Sequence, residues 1–226
     1  MPLPSTSAFN KRVVGVYVTH GHQDHWIGLA RLQEHFPDAR GMATAEVVGR
    51  ARFEATDPRL TAYWEGSFPG ELPKTPVLPE ALAAPEFELE GQTLKAISVG
   101  QGDTEHSTVL HIPSTAAVIA GDVVYNRVHM LTAETDEQRR EARIASLDAV
   151  AALEPQIVVA GRKRVSSTDL PENISASQQY LRDFSRVVND GGSVQDVVSA
   201  MLQIHGDRDN PRVLWHSSRT AVAKRG

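Results

Sequence analysis

Three histidines and an aspartate fall within six residues of the chain, at positions 20–25. Neutral imidazoles and a carboxylate that converge on one turn are the ligands that a borderline divalent cation such as zinc requires. His20 and His22 are two apart, so in an extended segment they project to the same side and can chelate one ion. Asp24 and His25 follow on the turn and could hold a second ion. The spacing therefore predicts a metal centre of the kind that generates a nucleophile for hydrolysis.

The alternative interpretation of these four side chains is a polar surface loop. A single histidine would favour this alternative. Four metal-binding side chains at this spacing favour the metal centre.

The elements around the cluster place it on a turn between a strand and a helix. Residues 12–18 are β-branched and almost continuously apolar, which is typical of a strand buried on both faces. From Trp26 to Phe36 the apolar residues recur at helical spacing, and Pro37 ends the helix. The cluster is therefore predicted to lie on a strand-to-helix turn.

The rest of the chain predicts alternating strands and helices. Helices are expected at residues 45–55, 135–153, 173–189 and 193–205, and strands at 107–113, 116–122 and 156–161, with two more in 87–100 joined at Glu90-Gly91. The Pro- and Gly-rich stretch 58–85 is expected to be a long, partly irregular excursion. This alternation predicts an α/β domain with sheets inside and helices outside. We expect one domain over residues 1–226, with a flexible lead at 1–12 and a tail at 207–226.

The composition argues against several classes of partner. The formal net charge of -5 gives no electrostatic reason to expect nucleic acid. The chain contains no cysteine, so any metal must be held by nitrogen and oxygen ligands. No apolar stretch reaches the length that a signal peptide or a membrane span needs. We therefore expect a cytoplasmic protein that acts on a small-molecule substrate, without nucleic-acid or membrane partners.

Three segments of the chain resemble the signatures of one protein family. "THGHQDHWIG" is similar to the His-X-His-X-Asp-His signature of the metallo-β-lactamase fold, a four-layer αβ/βα sandwich with its metals between two sheets. "VIAGDVVYN" resembles the second signature, in which an aspartate after a buried strand bridges two metals, and that aspartate is Asp122. "PQIVVAGRKR" resembles the last signature, where a strand ends in a Gly-His pair. The similarity runs over residues 13–164 and is in the style of the broad hydrolase branch of the family.

Two positions depart from the family pattern. The third histidine for the first metal follows a glycine at a strand end, and in "SVGQGDTEHST" that position is Gln101. His106 either replaces it as a ligand or begins the next strand as an ordinary polar residue. Asp103 could assist a metal, but its default interpretation is a solvated turn. Arg162 stands where the pattern has the last histidine of the second metal, and its permanent charge disfavours a cation there. His129 could compensate, with a structural histidine as the alternative.

The chain is also shorter at its front than the family pattern. Family members place several strands before the first signature, whereas this sequence has a short polar lead there. The resemblance thus implies the four-layer sandwich without its first strands. A sheet edge left uncovered would invite pairing with another chain, so we expect a homodimer or a protein prone to aggregation.

The resemblance implies a metal-dependent hydrolase that acts on an ester, lactone, thioester or lactam carbonyl. A hydroxide on the metal would attack the carbonyl carbon, and Asp24 or Asp122 would orient or accept the proton. The implied metal ligands are His20, His22, Asp24, His25, His106 and Asp122. One zinc ion fits these ligands better than a firmly held pair, and iron or manganese are alternatives. The competing hypothesis is a non-catalytic binding module whose metal site has degraded at Gln101 and Arg162.

Overall fold

The computed structural model of the chain describes residues 11–225, which fall into two compact units. Unit 1 ends at Ala84 and unit 2 begins at Pro85. The lead predicted at residues 1–12 falls mostly on residues 1–10, which lie outside the described residues. Both units combine strands with helices, which confirms the predicted α/β class. The expectation of one domain over the whole chain stays a prediction.

Unit 1 contains a three-stranded parallel sheet in the order β1-β2-β3. Its strands are β1 (Gly15–Tyr17), β2 (Arg40–Ala43) and β3 (Glu80–Ala81), and its helices are α1 (Leu29–His35), α2 (Ala45–Thr56) and α3 (Pro58–Ser67). A 3-10 turn, Gln23–His25, precedes α1. Two residues of the unit's apolar core, Val18 and Trp26, flank the histidine cluster. The cluster therefore lies between a strand and a helix, as predicted, and is anchored at both ends by buried side chains.

The excursion expected at residues 58–85 begins with a helix that the sequence pattern did not predict. The side chain of Asp57 caps α3 by accepting a hydrogen bond from the backbone N–H of Arg59, and Pro58 occupies the first turn. Proline suits that position because its missing N–H would have had no partner there. Every residue of this helix is at least partly exposed, so the segment lacks the apolar stripe from which helices are predicted. The expectation of an irregular segment was wrong for Pro58–Ser67.

Unit 2 contains a five-stranded sheet in the order β4-β5-β6-β7-β8. Its strands are β4 (Glu86–Leu89), β5 (Gln92–Gly100), β6 (Ser107–Ile112), β7 (Ala117–Asn126) and β8 (Ile157–Lys163). Neighbouring strands are antiparallel except β7 and β8, which pair in parallel. The hairpin between β4 and β5 turns at Glu90 and Gly91, whose φ angles are 52° and 76°. Two successive positive φ angles are the geometry of a tight hairpin turn, and the predicted position of this hairpin is confirmed.

The helices described in unit 2 include one in place of the predicted tail. They are α4 (Glu137–Ala151), α5 (Glu172–Asn189), α6 (Val194–His205) and α7 (Pro211–Lys224). Helix α7 buries Leu214, Ser217 and Ala221 at helical spacing, so the tail expected at residues 207–226 was wrong. The stripe consists largely of small residues, which give a weak hydrophobic signal in the sequence. None of the helices described between residues 11 and 225 combines the length and the apolarity that crossing a membrane requires.

Strand β7 brings Asp122 into the buried interior of unit 2. The sequence predicted that the strand ends at Asp122, but it continues to Asn126 and is almost entirely buried. Its pairing with β8 shifts register between Gly121 and Tyr125, and Tyr125 then pairs with Arg162. Such irregularities re-aim side chains near functional sites. Here the irregular stretch contains Asp122 and lies opposite the strand that carries Arg162.

Candidate metal centre

The three histidines of the motif pack against one another in a loop of unit 1, residues 19–26, which we call the histidine loop. The ring centroids of His20 and His25 are 3.9 Å apart, and those of His20 and His22 are 5.1 Å apart. The 3-10 turn at Gln23–His25 reverses the chain so that His25 returns toward His20. A carboxylate oxygen of Asp24 lies 3.6 Å from Nε2 of His25. The loop therefore brings together the four motif side chains that the sequence predicted.

Backbone contacts fix the conformation of the histidine loop. The indole N–H of Trp26 donates to the carbonyl oxygen of Gly21 (2.9 Å), which closes the loop. A Cβ atom on Gly21 would lie 2.9 Å from the backbone nitrogen of Ala51 in α2, and it would also overlap the side chain of Arg50. Glycine is required there because the loop backbone lies directly against the helix. The imidazoles are thus carried by a rigid turn.

A buried glutamate of α2 lies behind the histidine loop. Oε2 of Glu54 accepts a hydrogen bond from the backbone N–H of Gln23 (2.8 Å), and Oε1 lies 4.0 Å from Nε2 of His22. Arg50 donates to Oε1 through Nε (3.1 Å) and Nη2 (2.9 Å). Burial raises the pKa of Glu54 above its usual value, and the charges of His22 and Arg50 offset part of that rise. A carboxylate behind an imidazole orients the ring and increases its basicity as a ligand.

Glu54 was not predicted as a site residue, although the sequence contains a signal for it. Val47, Ala51 and Glu54 are spaced four and three residues apart, so all three lie on the buried face of α2. A charged residue on an apolar helix face is costly unless it has a partner. Glu54 at such a position therefore indicated a buried polar contact.

Asp122 is the centre of a second group of polar residues, in unit 2, which we call the aspartate cluster: Asp103, Asp122, Tyr125 and Arg162. Oδ2 of Asp122 accepts hydrogen bonds from Nε of Arg162 (2.8 Å) and from the hydroxyl of Tyr125 (3.3 Å). The same hydroxyl lies 3.5 Å from Oδ2 of Asp103. Burial, followed by the charges of Asp122 and Asp103, raises the pKa of Tyr125 well above its usual value. Tyr125 therefore stays a hydrogen-bond donor between two carboxylates.

A buried arginine supports the aspartate cluster from α4. Nη2 of Arg143 donates to the backbone carbonyl of Asp122 (2.8 Å), and Nη1 donates to that of Leu131 (2.7 Å). Its guanidinium carbon lies 5.2 Å from the ring centroid of Tyr125. The side chain is fully buried. Arg143 thus fixes the backbone of Asp122 and adds a permanent positive charge beside it.

The other residues considered as ligands near this cluster lie in the turn between β5 and β6. Gln101 is half-buried and donates its side-chain amide to the carbonyl oxygen of Gly102 (3.2 Å). His106 is exposed and has a φ angle of 59°, which places it in a left-handed turn. Asp103 is completely buried, so its expected place on a solvated turn was wrong. In the interior, the carboxylate of Asp103 lies beside the hydroxyl of Tyr125.

His129, the candidate replacement ligand for a second metal, is buried beside a helix of unit 2. Its Nδ1 lies 3.1 Å from the hydroxyl of Tyr180 in α5. Burial, with the nearby charges of Arg208 and His205, lowers its pKa to about 4. These contacts fit the alternative of a structural histidine.

The histidine loop and the aspartate cluster each contain side chains of the kind that bind a divalent cation of the zinc class. The histidine loop supplies three imidazoles, and both regions supply carboxylates. With no cysteine in the chain, the available donors are nitrogen and oxygen atoms alone. Imidazole-rich sets of this kind suit zinc and iron, and carboxylate oxygens also suit manganese.

An α/β fold with a histidine-rich turn between strand and helix defines a class of metal-dependent proteins. Residues 4–162 match the sequence model of the metallo-beta-lactamase superfamily, and that match covers more than half of the chain. The chain therefore belongs to the metallo-beta-lactamase superfamily, whose members are typically metal-dependent hydrolases. The resemblance inferred from the three signatures is confirmed.

Comparisons with individual proteins give the same fold. The chain is 25% identical over 183 residues to ribonuclease J from Pyrococcus abyssi, over 77% of this chain and 35% of that protein. The chain thus spans about a third of the length of this curated relative. A metallo-beta-lactamase family protein from Thermus thermophilus is 18% identical with a TM-score of 0.61, over 92% of this chain and 72% of that one. A beta-lactamase domain protein from Burkholderia ambifaria is 15% identical with a TM-score of 0.62, over 94% and 69%. At these identities the solved structures show the fold alone, and they confirm the predicted fold family.

Proposed function

We propose that the chain is a metal-dependent hydrolase that attacks an ester, lactone, thioester or lactam carbonyl. The observation that carries this proposal is the packing of His20, His22 and His25 in one rigid loop, at the spacing of the family signature. Imidazoles this close repel one another when protonated, whereas neutral rings can share a cation. Such a loop is suited to holding a metal ion.

The proposed metal is zinc, with iron or manganese as alternatives. Its proposed ligands are His20, His22, Asp24, His25, His106 and Asp122. When bound, the ion supplies Lewis acidity and lowers the pKa of a coordinated water. His106 is exposed and belongs neither to the histidine loop nor to the aspartate cluster, so we place it last among the ligands.

The two aspartates of the signatures have different surroundings, which suggests different roles. Asp24 is exposed and lies beside His25, so we assign it the acceptance of a proton from the attacking water. Asp122 is buried, and its Oδ2 is hydrogen-bonded to Arg162 and Tyr125. We therefore assign Asp122 an orienting role.

We further propose a small-molecule substrate, a cytoplasmic location and a homodimer. The net charge of -5 supports a substrate other than nucleic acid, and the absence of cysteine fits a reducing compartment. Light scattering of the purified protein tests the homodimer, which a monomeric mass would contradict.

The experiment that tests the function is turnover by the zinc-loaded protein. Suitable probes are p-nitrophenyl acetate, a γ-lactone, a thioester and a chromogenic cephalosporin. We expect zinc-dependent turnover of at least one probe, and a loss of at least about 100-fold in His22→Ala, since losing a ligand costs more than losing an outer partner. The matched control is His35→Ala, because His35 is exposed at the end of α1 and should leave turnover unchanged.

A second candidate function is a non-catalytic binding module. The observation that favours it is the ion pair between Arg162 and Asp122, which places a fixed cation on a proposed metal ligand. Zinc binding without turnover of any carbonyl probe would support this candidate. Because one relative is named a ribonuclease, the panel should include a phosphodiester and an RNA oligonucleotide; cleavage of these alone would overturn the carbonyl substrate class.

A further inference from the structure

We infer that Arg162 is a built-in cation that takes the place of a second metal ion at Asp122, so that the chain binds one metal ion. This inference deepens the proposed function and rests on it. It concerns the aspartate cluster of unit 2, where the family pattern and this chain differ.

The first observation is the ion pair itself. Nε of Arg162 lies 2.8 Å from Oδ2 of Asp122. The carboxylate side chain is 1% exposed, whereas the arginine side chain is 42% exposed. A buried carboxylate needs a cation or several donors to offset its desolvation, and Arg162 supplies the cation from the solvent side.

The second observation is that this positive charge is permanent. A guanidinium stays protonated in proteins and offers only donors, so it cannot ligate a metal. A metal ion at Oδ2 would have to displace Arg162 and would meet its charge at close range. Arg143 adds a second guanidinium on the backbone carbonyl of Asp122. Two fixed positive charges at one aspartate oppose the addition of a second metal ion to the one that the proposed ligands hold.

The third observation is that the backbone holds Arg162 in place. A Cβ atom on Gly161 would overlap Oδ1 of Asp122 and would lie 2.9 Å from the carbonyl oxygen of Gly121. Strand β8 therefore approaches β7 closely at the residue before Arg162. The parallel pairing of Tyr125 with Arg162 continues this approach. The guanidinium thus reaches Asp122 from a fixed strand, without a flexible loop between them.

A second arginine on the same segment provides a matched control. Arg164 donates to Asp209 through Nε (2.8 Å) and Nη2 (2.9 Å), so the pairing chemistry is the same. The carboxylate of Asp209, however, is 53% exposed. Substitutions at Arg164 remove an identical charge two residues away without changing the contacts of Asp122.

The test is the number of zinc ions per chain after equilibrium dialysis, measured by mass spectrometry. We expect one ion in the wild type, two in Arg162→His and one in Arg164→His. The histidine variant removes the competing charge and adds an imidazole in one substitution. Far-ultraviolet circular dichroism of each variant checks that it is folded.

A neutral variant keeps the inference testable if Arg162→His does not fold. In Arg162→Gln the carboxylate of Asp122 loses its cation, so the protein should bind zinc more tightly by about tenfold. Arg164→Gln should bind zinc as the wild type does. Unchanged zinc affinity in Arg162→Gln would overturn the inference.

The outcomes separate this inference from the function on which it rests. Two zinc ions in the wild type, or one in a folded Arg162→His, would overturn the inference and leave a metal-dependent hydrolase in place. A wild type that binds no zinc, iron or manganese would overturn both. One ion in the wild type and two in Arg162→His would support the inference whatever the substrate.

Discussion

The histidine loop and the aspartate cluster both bury ionisable side chains, but they compensate the charge in different ways. In the histidine loop the buried carboxylate, Glu54, faces His22, whose charge depends on a proton. In the aspartate cluster the buried carboxylate of Asp122 faces Arg162, whose charge does not. The first arrangement lets the ring become neutral and bind a metal, and the second supplies a positive charge of its own.

This difference explains how one chain can keep one signature of its family and depart from another. A neutral imidazole is a ligand, so the histidine loop needs an added cation to use its three rings. The aspartate cluster already contains Arg143 and Arg162, so their guanidinium groups offset the buried negative charge of Asp122. The two regions can therefore change independently without leaving a buried charge uncompensated.

Among residues outside the proposed ligands, the largest effect on the histidine loop is expected from Glu54→Gln. The amide keeps the size of the side chain but loses the charge that faces His22 and Arg50. We expect zinc affinity to fall by about 10–100-fold, the usual cost of losing an outer partner of a metal-binding histidine. Competition with a fluorescent zinc chelator measures the affinity without reference to turnover.

The control for this variant lies on the same helix. Glu46 is exposed in the first turn of α2, so Glu46→Gln should leave zinc affinity unchanged. Equal losses in the two variants would mean that the net charge of the helix matters and that the contact with His22 does not. The proposed role of Glu54 behind His22, on which the comparison of the two regions depends, would then be wrong.

The fold could be predicted from the sequence largely because its strands and helices carry strong periodic patterns. Strand β5 and helix α5 lie where apolar periodicity predicted them, within one or two residues. Helices α3 and α7 were missed since α3 buries no residue and α7 buries several small ones. Periodicity is informative only where large apolar side chains mark the buried face.

The candidate site was predictable to a different degree in the two regions. The histidine loop is local in sequence, so its four polar side chains could be grouped by spacing alone. The partners of Asp122 come from positions 125, 143 and 162, and no local pattern joins them. Glu54 and Arg143 were missed for the same reason, because each acts through a tertiary contact.

A further prediction concerns the pH dependence of stability, because unit 2 contains a titratable residue, His129, outside the aspartate cluster. His129 has a pKa of about 4 in the folded protein, against an ordinary value of 6.5. Below pH 6.5 the unfolded chain binds a proton at this residue that the folded chain does not, so stability falls as the pH falls toward 4. The expected loss is about 2 kcal/mol of unfolding free energy over this range.

Urea unfolding at several pH values measures this loss. His129→Gln removes the titrating group, so its stability should change less between pH 6.5 and 4 than that of the wild type. A control is His35→Ala, whose histidine is exposed and should leave the wild-type pH dependence in place. Identical slopes in wild type and His129→Gln would contradict the prediction.

The smallest expected effect tests whether the histidine loop is as rigid as its contacts indicate. Gly21→Ala places a Cβ atom 2.9 Å from the backbone nitrogen of Ala51, which cannot move without shifting α2. We expect a loss of at least about 1 kcal/mol in unfolding free energy, as for other forced overpacking. Gly49→Ala is the matched control, because Gly49 lies inside α2 with open space around its Cβ position, and alanine should stabilise the helix there. Opposite signs for the two variants in urea unfolding would support a loop held tightly against α2, whereas a neutral Gly21→Ala would show that the loop yields, and the three imidazoles would then lack a fixed support.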